Sequence, residues 1–242
     1  MESVEILWII AVVAVAAFAQ SLAGFGFGLL AVPMMTLLVD AHDAVIVATM
    51  IGTVSTAVQA VLDREHCEWP TARRLSIAAY VGMPLGLFAF VIVSESAMRL
   101  ILGVVVLLAT LVLARGFTFT GRSRLMEWMM GVSSGVLSTS TSTNGPPLVF
   151  LLQARQMEAT SFRATINTVF ALSNFGAIAL FAATGNVEVD GMVAAAASLP
   201  ILFLALRAGY ALRPRVDGSV FRKLVLVMLV LSGVSVLSSA FA

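Results

Sequence analysis

Apolar residues run in long blocks separated by short polar segments, at positions 6–38, 44–62, 75–93, 100–114, 126–152, 166–183, 192–212 and 224–240. A helix crosses a hydrocarbon core of about 30 Å with about 20 apolar residues, so the pattern predicts an all-α, polytopic membrane protein. The first and fifth blocks are too long for one untilted span. Each is interrupted near its middle, one by Gly24, Gly26 and Gly28 and the other by the stretch 138–147. Each therefore predicts a broken helical hairpin, made either of two full spans or of a re-entrant pair reaching partway.

Charge at the block ends orders these elements. The segments around Arg64, Arg73 and Arg74, around Arg115, Arg122 and Arg124, around Arg155 and Arg163, and around Arg213, Arg215, Arg222 and Lys223 are basic. The segments with Glu2 and Glu5, with His42 and Asp43, with Glu95, and with Glu188 and Asp190 are neutral or acidic. Lys and Arg collect on the cytoplasmic side. The two sets alternate only if block 6–38 starts and ends outside while block 126–152 starts and ends inside, which puts both termini outside. Arg99 and Arg207 lie near or within spans and do not enter this assignment.

The halves also look alike. Residues 1–121 and 122–242 each carry an interrupted hairpin followed by proline (Pro33; Pro146 and Pro147), a span with small polar residues, a span with proline (Pro84; Pro200) and a Leu/Val-rich helix preceded by arginine (Arg99; Arg222). Two repeats, each with an odd number of crossings, are inserted upside down relative to one another, the plan of many secondary transporters. Within one membrane domain, each repeat is a broken hairpin plus three transmembrane helices, and alternating access follows from that symmetry.

Composition strengthens the membrane reading. Of 242 residues 60% are hydrophobic and 11% charged, where a soluble domain carries roughly a quarter charged. The mean hydropathy is +1.03. A net charge of +1, with basic residues scattered over short loops, excludes nucleic acid as a partner. The single Cys67 excludes an internal disulfide and makes no metal site. Glu2 and Glu5 stand where a signal peptide would be basic, so the N-terminal segment reads as retained.

The interruptions hold the candidate chemistry, because unpaired backbone groups in hydrocarbon cost several kcal/mol each. Breaks must be buried in protein or line a polar cavity. In the first, Gln20, Ser21, Gly24, Gly26 and Gly28 allow a sharp turn and close backbone approach, and a helix restarting near Gly28 would point its positive end at an anion. The same glycines would equally serve tight helix packing. In the second, Ser140, Thr141, Ser142, Thr143, Asn144 and Gly145, within the hydroxyl run 138–143, supply neutral donors ahead of prolines suited to a helix start. A surface loop of turn residues is the plainer account.

In the spans that follow, Thr49, Thr53 and Thr56 share one helix face, and Asn167 and Asn174 another. Interhelix hydrogen bonding would explain any one of them. No Asp or Glu falls at mid-span and His42 and His66 read as loop residues, so no proton relay is evident. An intramembrane enzyme lacks a His within a span to activate a serine. Arg163 and Arg207 are candidate anion partners, though a cytoplasmic anchor and a snorkelling side chain are the plainer readings. Neutral donors and helix ends suit an anion. Nothing calls for a cofactor; the implied partners are a small anionic substrate, the lipid bilayer and, as an open alternative, further copies of the chain in a homo-oligomer.

The stretches QSLAGFGFGLLAVP, GVLSTSTSTNGPPLVFLL and SFRATINTVFALSN, with the duplicated arrangement over nearly the whole chain, resemble the TauE/SafE sulfite exporter family, also called TSUP permeases. The resemblance implies a bacterial or archaeal inner-membrane transporter with eight spans, acting on sulfite, a sulfonate or a related organosulfur oxyanion by alternating access. Alternatives are an anion-selective channel or a carrier for a small carboxylate. The hydroxyl run 138–143 departs from the family's usual glycine-rich second motif.

Overall fold

The computed structural model describes residues 2–115, 123–213 and 215 and scattered positions between 226 and 238. Among them there is no strand. Most of the predicted span 224–240, with Arg122, Arg222 and Lys223, lies outside the described residues.

The first long block folds as α1 (Ser3–Ala23) and α2 (Phe27–Met35), followed by α3 (Ala41–Leu62), α4 (Trp69–Ile92) and α5 (Glu95–Arg115). The fifth block folds as α6 (Arg124–Thr141) and α7 (Gly145–Ala154), followed by α8 (Ala159–Ala183) and α9 (Val189–Leu212). Helices α1, α3, α4, α8 and α9 are each long and apolar enough to cross a membrane. The returning limbs are not. At 9 and 10 residues, α2 and α7 rise about 14–15 Å, about half the hydrocarbon thickness.

Local chemistry sets the ends. Glu2 caps α1, with its N–H donating to the Glu5 carboxylate at 2.7 Å. Asp40 caps α3 by accepting from the His42 N–H at 2.8 Å. Prolines 146 and 147 occupy the first turn of α7, where missing N–H groups cost least. Several helices begin earlier than hydropathy predicts. Helix α4 includes Arg73 and Arg74, α8 includes Arg163, and His42 lies in the first turn of α3 rather than in a loop. Polar residues in the opening turns lower the local hydropathy without interrupting the helix, so a hydropathy pattern starts each helix late.

Small residues let the long helices touch. On α4, Gly82 and Gly86 face α6, and on α6, Gly131 and Gly135 face α4; a Cβ on any of the four would overlap the neighbouring helix. This four-residue spacing of glycines replaces the hydrophobic driving force that lipid cannot supply. Gly209 of α9 likewise sits against Ser21 of α1. Helix α3 packs on α8 between these two pairs.

Polar contacts gather the two kinds of chain end at opposite poles. At one, Glu127 of α6 binds Arg74 of α4 and Arg155 just past α7, the Glu68 N–H donates to Thr165 Oγ1 of α8 at 3.0 Å, and Arg213 after α9 pairs with Asp63 after α3 at 3.6 Å. At the other, Arg99 binds Glu95 at 2.7 Å and the Thr36 carbonyl, and His42 contacts the Phe90 carbonyl at 3.1 Å. Burial pushes the Asp40 carboxyl up, but a side-chain hydrogen bond with Glu95, the backbone N–H groups of His42 and Asp43 and the His42 ring together hold it below its usual range.

Candidate functional site at the meeting of the two breaks

Each break is made by positive φ. In the first, Gly24 (φ 87) ends α1 and Gly26 (φ 98) starts α2, two left-handed residues that L side chains strongly disfavour. In the second, α6 runs on through Thr141 and a single left-handed residue, Ser142 (φ 54), ends it. The hydroxyl run is thus mostly helical, and only residues 142–144 form the break. Serine and threonine can satisfy their hydroxyls on the preceding turn's carbonyls, as Thr139 and Thr141 do with Gly135 and Leu137, so a polar run need not leave the helix.

The two breaks touch. A Cβ on Gly28 would overlap the Ser142 carbonyl, and Thr49 Oγ1 of α3 donates to Ser142 Oγ at 3.0 Å. Around this contact is a narrow polar pocket of about 20 Å³, room for about one water and too little for a three-oxygen anion without opening. Gln20, Gly26, Gly28, Ser142, Thr143, Asn144, Gly145 and Asn174 all line it, so both predicted breaks are brought together with a residue of the span that follows the second. Thr56 of α3 is a further polar neighbour.

The remaining candidates take other places. Thr49 stands one hydrogen bond behind the pocket, and Thr53 Oγ1 donates to the Thr49 carbonyl at 2.6 Å within α3. Thr141 is paired with Thr143 at 2.6 Å, and Ser140 is buried but does not line the pocket. Asn167 donates to the Arg163 carbonyl at 2.9 Å, and its buried Oδ1 has no partner. Ser21 and Gly24 face away, toward Arg213 and Arg163. Residues missed by sequence reasoning are the pocket's walls: Phe27, Leu29, Ala48, Gly52 and Phe170. Nothing distinguishes an apolar wall from any other buried apolar residue until the helices are assembled. Gly52 brings α3 close to the pocket: a Cβ there would meet the Phe27 ring and the Asn174 amide nitrogen in ordinary contact, at 3.4 and 3.5 Å.

Among the described residues no charged side chain lines the pocket. Its polarity comes from two helix starts and a few amides and hydroxyls. The N–H groups of Phe27, Gly28 and Leu29 belong to the first turn of α2, which has no intrahelical acceptors for them. Asn144 Nδ2 lies 3.5 Å from Asn174 Oδ1, and the Asn144 carbonyl accepts from Ser134 Oγ at 2.9 Å. Such a set of donors can hold an anion without a metal ligand or a compensating carboxylate.

Full-length apolar helices enclosing two half-helices whose starts converge on a polar pocket are the build of a polytopic membrane transporter. The chain belongs to the sulfite exporter TauE/SafE family, whose model matches residues 9–236. It is 24% identical over 230 residues to the probable sulfite/organosulfonate exporter TauE of Cupriavidus necator, covering 92% of this chain and 90% of that protein. It is 30% identical over 102 residues to the probable inner membrane transporter protein TsaS of Comamonas testosteroni, covering 42% of this chain and 43% of that one. No solved structure matches it significantly.

Proposed function

We propose that the protein is a secondary transporter of the inner membrane, moving a small organosulfur oxyanion such as sulfite or a sulfonate by alternating access. The observation that carries this is the pocket between the breaks, where the free N–H groups of α2 meet the side-chain donors Ser142, Thr143, Asn144 and Asn174 with no charged group among them. A tetrahedral or pyramidal oxyanion accepts several such bonds at once, and two helix starts supply the favourable field. The names of the two relatives point to the same class of solute.

Alternation rests on the two halves, residues 1–121 and 122–242, acting as inverted repeats. Helix caps Asp40 and Glu158, and the pairs Thr49 and Asn167, Ser55 and Ser173, and Thr56 and Asn174, stand at equal separation along the chain. The packing of α4 on α6 and of α1 on α9 exchanges the same way when the halves are swapped. A pocket this small is an occluded state, and rocking of one hairpin against the other would open it to either face. By the positive-inside rule the arginine-rich pole is cytoplasmic, and a negative interior favours anion exit by about 2.3 kcal/mol per charge per 100 mV.

Proteoliposomes loaded with radiolabelled sulfite, or with a sulfonate, test the reading. Saturable efflux that Asn144→Ala with Asn174→Ala strongly weakens is the expected result. Native protein that moves neither anion, or moves them without saturation, would overturn it.

A further inference from the structure

Arg163 is the charged residue for which the transport pocket has no use. It lies in the second turn of α8, and its aliphatic stem covers Gly24 at the end of α1: a Cβ on Gly24 would overlap Arg163 Cγ and lie 3.0 Å from Cδ. Its Nε is buried without a partner, and among the described residues no carboxylate pairs with it. The other partly buried arginines of this pole are paired, Arg74 and Arg155 with Glu127 and Arg213 with Asp63. Half-buried and unpaired among the described residues, the Arg163 guanidinium keeps donors that an anion can take.

Arg213 reaches the same end of α1, three residues before the Gly24 that Arg163 covers. Arg213 stacks on the Tyr210 ring at 3.7 Å, donates to the Ser21 carbonyl at the end of α1, and reaches Gln59 Oε1 at 3.5 Å. Its ion pair with Asp63 is long, at 3.6 Å, while Tyr210 also donates to that carboxylate at 3.1 Å. One carboxylate thus serves both Arg213 and the Tyr210 hydroxyl. From this cluster a line of side chains leads inward: Gln59 bonds Ser55 Oγ at 3.3 Å, Ser55 donates to Gln20 Oε1 at 2.6 Å, and Gln20 lines the pocket.

We propose that Arg163 and Arg213 form a second anion site, on the arginine-rich side of the pocket. It takes a small oxyanion by drawing Arg213 away from Asp63 and passes it by way of Gly24 and Gln20 to the break. The site deepens the transport reading and depends on it. Both guanidiniums present paired N–H donors suited to two oxygens of one sulfite or sulfonate group, and Asp63 is the internal competitor that keeps the site closed when empty.

Equilibrium dialysis of purified protein with radiolabelled sulfite, alongside flux from the arginine-rich face of oriented proteoliposomes, tests this. Native protein is expected to bind two sulfites per chain and Arg163→Gln one, with the half-saturating concentration for flux rising about tenfold, the cost of one charge-assisted contact, and the maximal rate kept. Arg163→Lys, which retains the stem over Gly24, should fall between. Asp63→Asn should tighten the outer of the two binding events several-fold, a gain that a purely structural role for the ion pair does not give. Native protein that transports sulfite but binds one per chain, or an Asp63→Asn variant that binds more weakly, would overturn the second site alone. Native protein that neither binds nor transports sulfite would overturn the transport reading as well.

Discussion

The two breaks do one job with different materials. The first is built of backbone: two left-handed glycines reverse the chain within three residues, and the half-helix that follows begins with free N–H groups at Phe27, Gly28 and Leu29. The second is built of side chains. Its half-helix begins Gly145, Pro146, Pro147, so two of its first N–H donors are missing, and the hydroxyls of Ser142 and Thr143 and the amide of Asn144 stand in for them. One surface therefore recognises by close approach and the other by reach. A site of this kind can change its solute by side-chain replacement in the second break while leaving the first untouched.

Substitutions that blur this division should act in graded order. Gly28→Ala forces a methyl into the Ser142 carbonyl, and overpacking of this sort costs about 3 kcal/mol; thermal unfolding in detergent should show the loss, with flux nearly abolished. Asn144→Ala combined with Asn174→Ala removes side-chain donors and no backbone, so stability should hold while the half-saturating sulfite concentration rises about tenfold. Smaller effects belong to the turns themselves. Gly26→Ala places its methyl in open space but keeps φ at 98, costing about 1 kcal/mol. Ser142→Gly relieves a similar strain and offsets it by losing the bond from Thr49, so its stability should stay within about 1 kcal/mol of native. Equal losses from Gly26→Ala and Gly28→Ala would show that turn strain, not contact between the breaks, governs the site.

The smallest effect concerns the anchor of the first hairpin alone. Asp40 caps α3 with a carboxyl held below its usual range, so its stabilising contribution is full above the unfolded value of 3.8 and fades as pH falls through the lowered one. The gap in unfolding temperature between native protein and Asp40→Asn should therefore narrow below about pH 4. Glu158, at the corresponding end of α8, makes no side-chain cap hydrogen bond.

Much of the architecture is legible in the chain itself. Apolar blocks announce the helices because lipid demands twenty-residue apolar runs, and the breaks stand out because glycines, hydroxyls and prolines are costly inside such runs unless protein or a cavity receives them. The family likeness rests on those same stretches. Helix starts are less legible: Arg163 and His42 fall in helices because polar residues in the opening two turns keep the helical backbone, which hydropathy cannot tell from a loop. The extent of the second break is overestimated for a related reason, since hydroxyls bonded to the preceding turn leave 138–141 helical.

Local composition and transfer free energy dictate where the chain is apolar, where it must bend, and which polar groups are too expensive to leave in lipid. Which of those groups meet is set by the assembled helices. That Gly28 lies on Ser142, that Asn174 crosses Gly52, that Phe27 and Phe170 wall the pocket, and that Arg163 covers Gly24 without a partner are matters of helix packing. Contacts between residues more than a hundred positions apart depend on crossing and register, which no local pattern of apolar and polar residues encodes.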